Sequence, residues 1–254
     1  MELVAGADLV WYDDTSTGDV PLVLLHPGIA DSTIWDRLLP LLDDYRVIRF
    51  DRRGFGRSAP ATEEYTALRD LVAVLDHLGL ERAHLVGNSM GGETALALAV
   101  TEPDRVASLT LLCPGIGGYP WPEDDYPELV AAWTAAKEAG DVPALAKIQE
   151  GMWFAAGTDD YLSEQVLKAT ELDFSPAGPL EQENPEQWSK VAAITAPTTV
   201  VAGALDPADS LQASVDLAAR IPGAELVRLD ADHVPQYRDP EGVAAALVRT
   251  VTRS

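Results

Sequence analysis

The segment 87–92 reads Gly-Asn-Ser-Met-Gly-Gly and fits the pattern G-x-S-x-G around Ser89. It follows an apolar run, residues 83–87, that predicts a strand, and it leads into small residues, 91–102, that predict a helix. A serine at the apex of a sharp strand-to-helix turn has strained backbone angles and close neighbours, so glycines two positions before and after it are expected. Such a turn holds the hydroxyl out at the carboxyl end of a sheet. The chemistry indicated is nucleophilic attack by Ser89.

Ser58 is the rival nucleophile, in the segment Gly56-Arg57-Ser58. It lacks a glycine two positions further on, and no strand and helix flank it. The pattern therefore favours Ser58 as a loop hydroxyl and Ser89 as the nucleophile.

A serine hydroxyl is a weak nucleophile until a base removes its proton, so a histidine is needed, and the chain has four. His77 falls within a predicted helix and His84 in the middle of a predicted strand, so both are expected to be structural or surface residues. His26 ends a strand and precedes Pro27, which suits it to holding that loop. His233 remains, in a loop after the last predicted strand, and is the expected base.

The base needs a carboxylate that fixes its tautomer and stabilises the imidazolium. Asp206 is the best candidate, because it follows the predicted strand 198–202 at the same edge of the sheet as Ser89. Asp209 lies three residues later and could substitute for it. Asp230 and Asp232 are too close to His233 in sequence to be the first choice. The expected order along the chain is Ser89, Asp206, His233.

Short apolar runs bounded by Gly, Pro and Asp alternate with helical patterns, which predicts an α/β fold. We expect a mostly parallel sheet with helices on both faces. Strands are predicted over 9–12, 21–25, 45–50, 83–87, 106–112, 198–202 and 225–229, and helices over 32–42, 68–78, 91–102, 211–220 and 240–251.

The regular alternation breaks between residues 114 and 196, where Trp, Pro and acidic residues accumulate around three helical patches, 129–139, 143–153 and 161–172. The sequence predicts a core domain, 1–113 with 197–254, and an inserted helical cap, 114–196. Five aromatic residues of the cap could either line an apolar pocket or bury the cap against the sheet: Trp121, Trp133, Trp153, Phe154 and Tyr161. For most of these five, burial against the sheet is the favoured interpretation.

The composition excludes several classes of protein. The chain has 254 residues with 18 basic and 41 acidic side chains, a net charge of −23 that repels nucleic acid. Its single cysteine, Cys113, lies in an apolar run and is expected to pack as a small hydrophobe. No signal segment or membrane span is evident, so a cytoplasmic protein without a membrane partner is expected. The acidic run 123–125 is expected to be a solvated turn, not a metal site.

The chain resembles the α/β-hydrolase superfamily over nearly its whole length. The segment His26-Pro27-Gly28 is similar to the family's His-Gly oxyanion loop, and residues 51–58 look like its D-x-R-G-x-G-x-S loop. Asp206 and His233 match its acid and base positions. Pro27 departs from the pattern, since the family usually has glycine there.

Attack on a carbonyl develops an oxyanion that needs two preorganised N–H donors. Met90, directly after Ser89, is expected to supply one. The other should come from the loop after the strand 21–25. Pro27 has no N–H, so Gly28 is the choice and Ile29 the fallback. The resulting chemistry is acyl transfer through Ser89 to a small-molecule carbonyl, with no metal or organic cofactor required.

Within the superfamily, a serine nucleophile argues against haloalkane dehalogenases and epoxide hydrolases, which usually carry aspartate. This leaves esterases, lactonases, cofactor-free perhydrolases and C–C bond hydrolases. The residues of segment 87–92 resemble those of meta-cleavage product hydrolases. The compact cap is similar to those of enol-lactonases and small carboxylesterases, so a carboxylic ester or lactone hydrolase is favoured. A C–C hydrolase and an inactive ligand-binding module are the alternatives. The sequence specifies no oligomeric state.

Overall fold

One sheet runs through the computed structural model, which describes residues 1–6, 8–122 and 127–254. Its strands are β1 Glu2–Ala5, β2 Asp8–Asp14, β3 Pro21–Leu25, β4 Arg46–Phe50, β5 Ala83–Asn88, β6 Val106–Leu112, β7 Thr198–Gly203 and β8 Glu225–Leu229. They lie in the order β1-β2-β4-β3-β5-β6-β7-β8. β1 and β2 pair antiparallel, and β3 to β8 are parallel to one another. The predicted mostly parallel sheet is confirmed.

Helices connect the parallel strands. They are α1 Ala67–His77, α2 Met90–Thr101, α3 Pro127–Ala139, α4 Val142–Trp153, α5 Asp160–Asp173, α6 Ala208–Arg220, α7 Pro235–Arg238 and α8 Pro240–Val251. Within the described ranges the longest is α5, with 14 residues. None of the helices there is both long and apolar enough to cross a lipid bilayer.

Between β6 and β7 the chain passes through α3, α4 and α5 instead of a single crossover helix. This is the segment in which the sequence predicts three helices. The division into a core, 1–113 with 197–254, and a cap, 114–196, stays a prediction. The acidic run 123–125 lies outside the described residues.

The central strand β3 is buried on both faces. Leu22 and Leu24 pack in one cluster with α8 and the segment Ser32–Trp35, and this cluster also receives residues of α4 and α5. Val23 and Leu25 pack in the other with α1, α2 and α6. Alternation along one fully buried strand thus supplies side chains to two cores, and α4 and α5 pack in only one of them.

Two local predictions are wrong. The single helix over 32–42 is replaced by two 3-10 turns, Ser32–Trp35 and Leu39–Leu41, because Pro40 cannot donate a backbone hydrogen bond. The first turn is capped by Asp31, whose side chain accepts the N–H of Thr33 at 2.8 Å. The N-terminal strand β1 was also absent from the sequence prediction; four residues give too short a pattern to stand out.

Arg53, just after β4, ties three elements together in the interior. Its guanidinium binds both carboxylate oxygens of Asp70 on α1 at 2.8 to 3.2 Å and Asp8 on β2 at 2.6 Å. It also lies over the ring of Tyr65, 4.6 Å from the centroid. All three charged side chains are at most 4% exposed, so each depends on the others for compensation of its charge.

Replacing one partner of this cluster should therefore be costly. Asp70→Asn should lower the free energy of unfolding by about 3 kcal/mol, because it leaves a buried guanidinium with too little negative charge. Asp76→Asn is the matched control on the same helix: Asp76 is 62% exposed and pairs with Arg105 at the surface, so a change under about 1 kcal/mol is expected. Urea denaturation measures both, and equal effects would contradict this account.

Candidate active site

Ser89 occupies the turn between β5 and α2 with φ 52° and ψ −117°. A positive φ is strained for a residue with a side chain and is tolerated where surrounding contacts hold it. Here the Ser89 N–H donates to Leu112 O at 3.0 Å, and Ser89 O accepts the N–H of Gly115 at 2.9 Å. Both partners belong to the end of β6 and the loop after it, so the neighbouring strand fixes the serine backbone.

The glycines of this segment are required by close packing. A Cβ on Gly91 would lie 2.1 Å from Leu25 O, and one on Gly87 would lie 2.4 Å from Gly91 O. A Cβ on Gly92 would lie 2.8 Å from Pro114 Cβ. At the first two positions the obstacle is backbone, which cannot move aside, so the spacing of glycines around the serine has a direct steric cause.

Asp206 and His233 are in direct contact. His233 Nδ1 donates to Asp206 Oδ1 at 2.8 Å, and both side chains are almost fully buried. Asp206 follows β7 and His233 follows β8, two adjacent parallel strands whose carboxyl ends meet at one edge of the sheet. With the proton on Nδ1, the Nε2 nitrogen has a lone pair available for a proton from another group.

A buried amide connects the Ser89 turn to the His233 loop. The Asn88 side chain is fully buried, and its Nδ2 donates to Leu112 O and to His233 O, both at 2.9 Å. Its Oδ1 accepts Gln236 Nε2 at 2.9 Å. No hydrogen bond joins Ser89 Oγ to His233 within the part of the chain that the structure describes, so this bridge is the direct link between their segments.

Sequence reasoning missed Asn88 and Gln236. Their signals were weak: Asn88 occupies one of the free positions of the G-x-S-x-G pattern, and Gln236 belongs to the four-residue helix α7, which was not predicted. Both are fully buried amides. Only the packing of β5 against the loop after β8 brings them together.

The backbone amides proposed for an oxyanion lie at the start of α2 and in the loop after β3. Within the described ranges, the N–H groups of Met90, Gly28 and Ile29 donate to no other backbone or side-chain group. The Met90 side chain covers Gly28, where a Cβ would come within 2.3 Å of Met90 Sδ. Met90 is at the start of α2, where unpaired N–H groups and the helix dipole favour negative charge.

His26 holds the loop that carries Gly28. Its Nδ1 donates to Pro27 O at 2.8 Å, and its Nε2 accepts the N–H of Arg52 at 2.9 Å. Burial, with the Arg52 guanidinium nearby, lowers the pKa of His26, so the ring stays neutral and Nε2 can accept. These contacts agree with the structural role expected from the sequence.

The remaining polar candidates also have structural contacts. Ser58 Oγ donates to Asp51 O at 2.6 Å and accepts the N–H of Trp11 at 2.8 Å. His77 bonds to the hydroxyl of Tyr12, and His84 to that of Ser108. Each hydroxyl or ring is thus engaged away from Ser89, as the sequence indicated.

Trp153, the last residue of α4, packs against His233. The two ring centroids are 4.2 Å apart with planes inclined by 32°, and Trp153 O accepts the N–H of His233 at 3.3 Å. Trp153 also lines a cavity of about 520 Å³ together with Trp121, Met152 and Pro207. These aromatic residues therefore line a cavity, whereas Phe154 is buried in the core and the Tyr161 hydroxyl bonds to Thr33.

Two more cavities border on the Ser89 turn. One, of about 270 Å³, is lined by Arg52 and Met90, and another, of about 500 Å³, by Gly115. Both are also lined by Glu93, Glu183 and Asn184. Trp121 is shared by the 500 and 520 Å³ cavities. The three cavities thus share walls, and we refer to them together as the groove.

Charges in the groove are mostly negative. Its acidic lining residues are Glu93, Glu181, Glu183, Glu186 and Asp209. The one cation among the described lining residues is Arg52, whose guanidinium is paired with Glu181. Burial raises the pKa of the Glu93 carboxyl.

A metal ion has three possible ligands at this site. Cys113 Sγ, a carboxylate oxygen of Asp206 and a ring nitrogen of His233 lie within 4.8 Å of one another. His233 Nδ1 and Asp206 Oδ1 are already joined by a hydrogen bond, so a metal between them would have to break it. The cluster is therefore best described as hydrogen-bonded.

Comparison with known proteins identifies the family. The family described as alpha/beta hydrolase fold matches residues 21–240, most of the chain. The chain belongs to this family. The order of strands and the serine turn between β5 and α2 are the features of the structure that agree with it.

The names of individual relatives describe several different activities. A 2-hydroxy-6-oxononadienedioate/2-hydroxy-6-oxononatrienedioate hydrolase from Burkholderia vietnamiensis is 43% identical, over 43% of this chain and 41% of that protein, so less than half of that relative is matched. A 3-oxoadipate enol-lactonase 1 from Acinetobacter baylyi is 29% identical over 88% of this chain and 85% of that protein. A solved structure of Est816, described as an N-acyl homoserine lactone degrading enzyme, has 31% identity and a TM-score of 0.77, covering 98% of this chain and 99% of that one.

The Asn88 bridge predicts a kinetic effect. Asn88→Ala should lower kcat about tenfold, because His233 O loses its donor and the loop can shift relative to Ser89. Gln236→Ala should have a smaller effect, and the double variant should be no worse than Asn88→Ala, since the two amides act through one contact. Steady-state kinetics on any ester that the protein turns over measures the three variants; additive losses would contradict the bridge.

Proposed function

We propose that the protein is a serine hydrolase that cleaves a carboxylic ester or lactone of a small molecule through an acyl-enzyme on Ser89. The observation that carries the proposal is the buried His233–Asp206 pair, 2.8 Å between Nδ1 and Oδ1, at the same sheet edge as the strained Ser89. A carboxylate that orients a neutral imidazole is what a serine nucleophile needs to be activated.

In the proposed first step, His233 Nε2 removes the Ser89 proton as Oγ attacks the carbonyl carbon. Negative charge then develops on the carbonyl oxygen, and the N–H groups of Met90 and Gly28 stabilise it. His233, now an imidazolium held by Asp206, gives the proton to the departing alcohol oxygen. Asp206 keeps the ring of His233 oriented through both proton transfers.

Deacylation repeats this chemistry with water as the nucleophile. His233 takes a proton from water as the hydroxide attacks the acyl carbon, and returns it to Ser89 Oγ when the ester bond to the enzyme breaks. For a lactone, the alcohol released in the first step stays attached to the acyl chain, so one product leaves after hydrolysis. The side chains of this chain supply every proton transfer.

The charge of the groove supports an ester or lactone over a doubly charged substrate. Glu183 and Glu186 line it, and its cation Arg52 already has Glu181 as a partner. A dienedioate, the substrate named for the Burkholderia vietnamiensis relative, carries two carboxylates that would meet like charge. The N-acyl homoserine lactone in the description of Est816 has no free carboxylate group, so a substrate of that kind suits the acidic groove better.

A C–C bond hydrolase is the second candidate, because relatives are named as hydrolases of 2-hydroxy-6-oxononadienedioate and the residues of segment 87–92 resemble those of meta-cleavage product hydrolases. The same Ser89, His233 and Asp206 would serve either reaction. An inactive ligand-binding module is the third, and it leaves the unpaired amides and the His233–Asp206 pair without a use.

The first experiment is labelling with a small fluorophosphonate, which reacts with activated serines, followed by peptide mass spectrometry. We expect one adduct, on Ser89, and none in Ser89→Ala, whose melting temperature should stay close to that of the parent because only a half-buried hydroxyl is lost. Ser163→Ala, on α5, is the matched control and should label fully. A folded parent protein that forms no adduct would favour the ligand-binding module.

Substrate charge gives a separate prediction. 4-Nitrophenyl butanoate and 4-nitrophenyl hemisuccinate have acyl chains of the same length, ending in a methyl group and a carboxylate respectively. We expect kcat/KM for the hemisuccinate to be about tenfold lower, with the gap narrowing as salt is raised, because screening weakens repulsion by the groove.

The double variant Glu183→Gln with Glu186→Gln should recover much of the hemisuccinate activity. Glu241→Gln, on α8, removes an exposed acidic charge outside the groove and should recover little. A preference for hemisuccinate in the parent protein would instead point to dicarboxylate substrates of the C–C hydrolase type.

A further inference from the structure

Cys113 is the first residue after β6, and it is held in an unusual conformation. Its φ is 42°, a value that side-chain-bearing residues rarely adopt, and the residue is fully buried. Its N–H donates to Val201 O at 2.9 Å, and its Sγ accepts the N–H of Gly203 at 3.3 Å. Contacts with β7 therefore fix the position of the sulfur.

The sulfur lies beside the proposed catalytic acid and base. Cys113 Sγ, one carboxylate oxygen of Asp206 and one ring nitrogen of His233 are within 4.8 Å of one another. Asp206 Oδ1 accepts from His233, but Asp206 Oδ2 is buried and has no hydrogen-bond partner among the described residues. A buried carboxylate oxygen without a donor is unfavourable, so this atom points to a donor nearby.

The thiol proton is the donor within reach. In the structure the thiol contacts Asp232 O at 3.9 Å, close to the outer limit for a hydrogen bond from sulfur, so that carbonyl holds the proton only weakly. Sγ and a carboxylate oxygen of Asp206 are within 4.8 Å, so rotation of the hydrogen about the Cβ–Sγ bond, with a small shift of the carboxylate, brings the two groups into hydrogen-bond contact. Burial and the neighbouring Asp206 charge raise the pKa of the Cys113 thiol, so the proton stays on sulfur.

We propose that Cys113 is a positioning residue for the proposed triad, whose S–H donates to Asp206 Oδ2 while His233 occupies Oδ1. This inference rests on the proposed function of Ser89, Asp206 and His233. The thiol would fix the rotation of the carboxylate and share part of its negative charge, leaving Oδ1 aimed at His233 Nδ1.

The charge sharing has a consequence for pH dependence. Without the thiol donor, Asp206 keeps more negative charge on Oδ1 and holds the ring proton of a charged His233 more tightly. His233 must lose that charge to act as a base, so the acidic limb of the kcat/KM profile moves to higher pH. Among the described residues, Asp232 adjoins His233 in the chain and is bonded to Arg238. Asp209 on α6 lines the same cavity as Trp153, which packs on His233. A substitution at Cys113 changes neither carboxylate.

The test compares Cys113→Ala, which removes the donor, with Cys113→Ser, which keeps one. For Cys113→Ala we expect the midpoint of the acidic limb to rise by about half a pH unit and kcat/KM to fall about three- to tenfold, with KM little changed. Cys113→Ser should have a midpoint within about 0.2 units of the parent protein. If both variants lose stability equally but keep the parent midpoint, the thiol is only a packing group and the proposal is overturned.

A spectroscopic measurement reads the thiol directly, with Cys113 itself left in place. Cys113 is the only cysteine in the chain, so the infrared S–H stretching band belongs to it alone. A hydrogen bond to a carboxylate lowers the frequency of this band, and Asp206→Asn should raise it. A band that does not move in Asp206→Asn overturns the proposal. The Ser89 fluorophosphonate adduct is read separately, so failure of the proposed function and failure of the thiol contact are distinguishable.

Discussion

The first turn of α2 lies directly against the carboxyl end of β3, with no room for a side chain between Gly91 and the Leu25 carbonyl. This contact sets where the helix begins, and Ser89 must take a positive φ to connect it with β5. The strain is held by backbone hydrogen bonds to Leu112 and from Gly115. Because α2 starts so close to β3, the Met90 side chain comes over Gly28, which carries one of the two unpaired amides.

A second layer of buried polar contacts holds the loops around this turn. The Asp51 carboxylate accepts the N–H groups of Ser32 and Arg57, both at 2.9 Å, and a Cβ on Gly56 would lie 2.4 Å from it. The next residue, Arg52, donates its N–H to His26, which in turn holds the Gly28 loop. The acidic residue and glycines that mark segment 51–58 in the sequence thus hold the loops around the site in place through backbone hydrogen bonds.

The segment between β6 and β7 is fastened to the loop that carries His233. Besides the contact of Trp153, the N–H of Ala156 donates to Asp232, and Arg238 joins Asp232 to Gly157 O. The Tyr237 hydroxyl donates to Asp159 at 2.6 Å. Movement of α4 or α5 would therefore disturb the position of His233, so the helices that line the groove and the proposed base are mechanically connected.

Most strands and helices, the Ser89 turn and the candidate acid and base could be predicted from the sequence, because each depends on a local sequence pattern. Periodicity and breakers located the parallel strands and the helices, and the spacing of glycines around Ser89 marked a turn that needs no long-range information. Asp206 and His233 could be selected because residues that follow parallel strands meet at one sheet edge. The short strand β1 and the 3-10 turns over 32–41 were missed, since four residues and an internal proline give no clear period.

Only the tertiary structure decided which side chains share hydrogen bonds across the sheet. Asn88 meets Gln236, Trp153 packs on His233, and Cys113 approaches Asp206. The partners in these contacts are 148, 80 and 93 residues apart in the chain. The sequence by itself determined the nucleophile's turn and the candidate acid and base. The charge of the groove and the buried contacts that orient the site depend on distances between distant segments, which residue types and spacing do not contain.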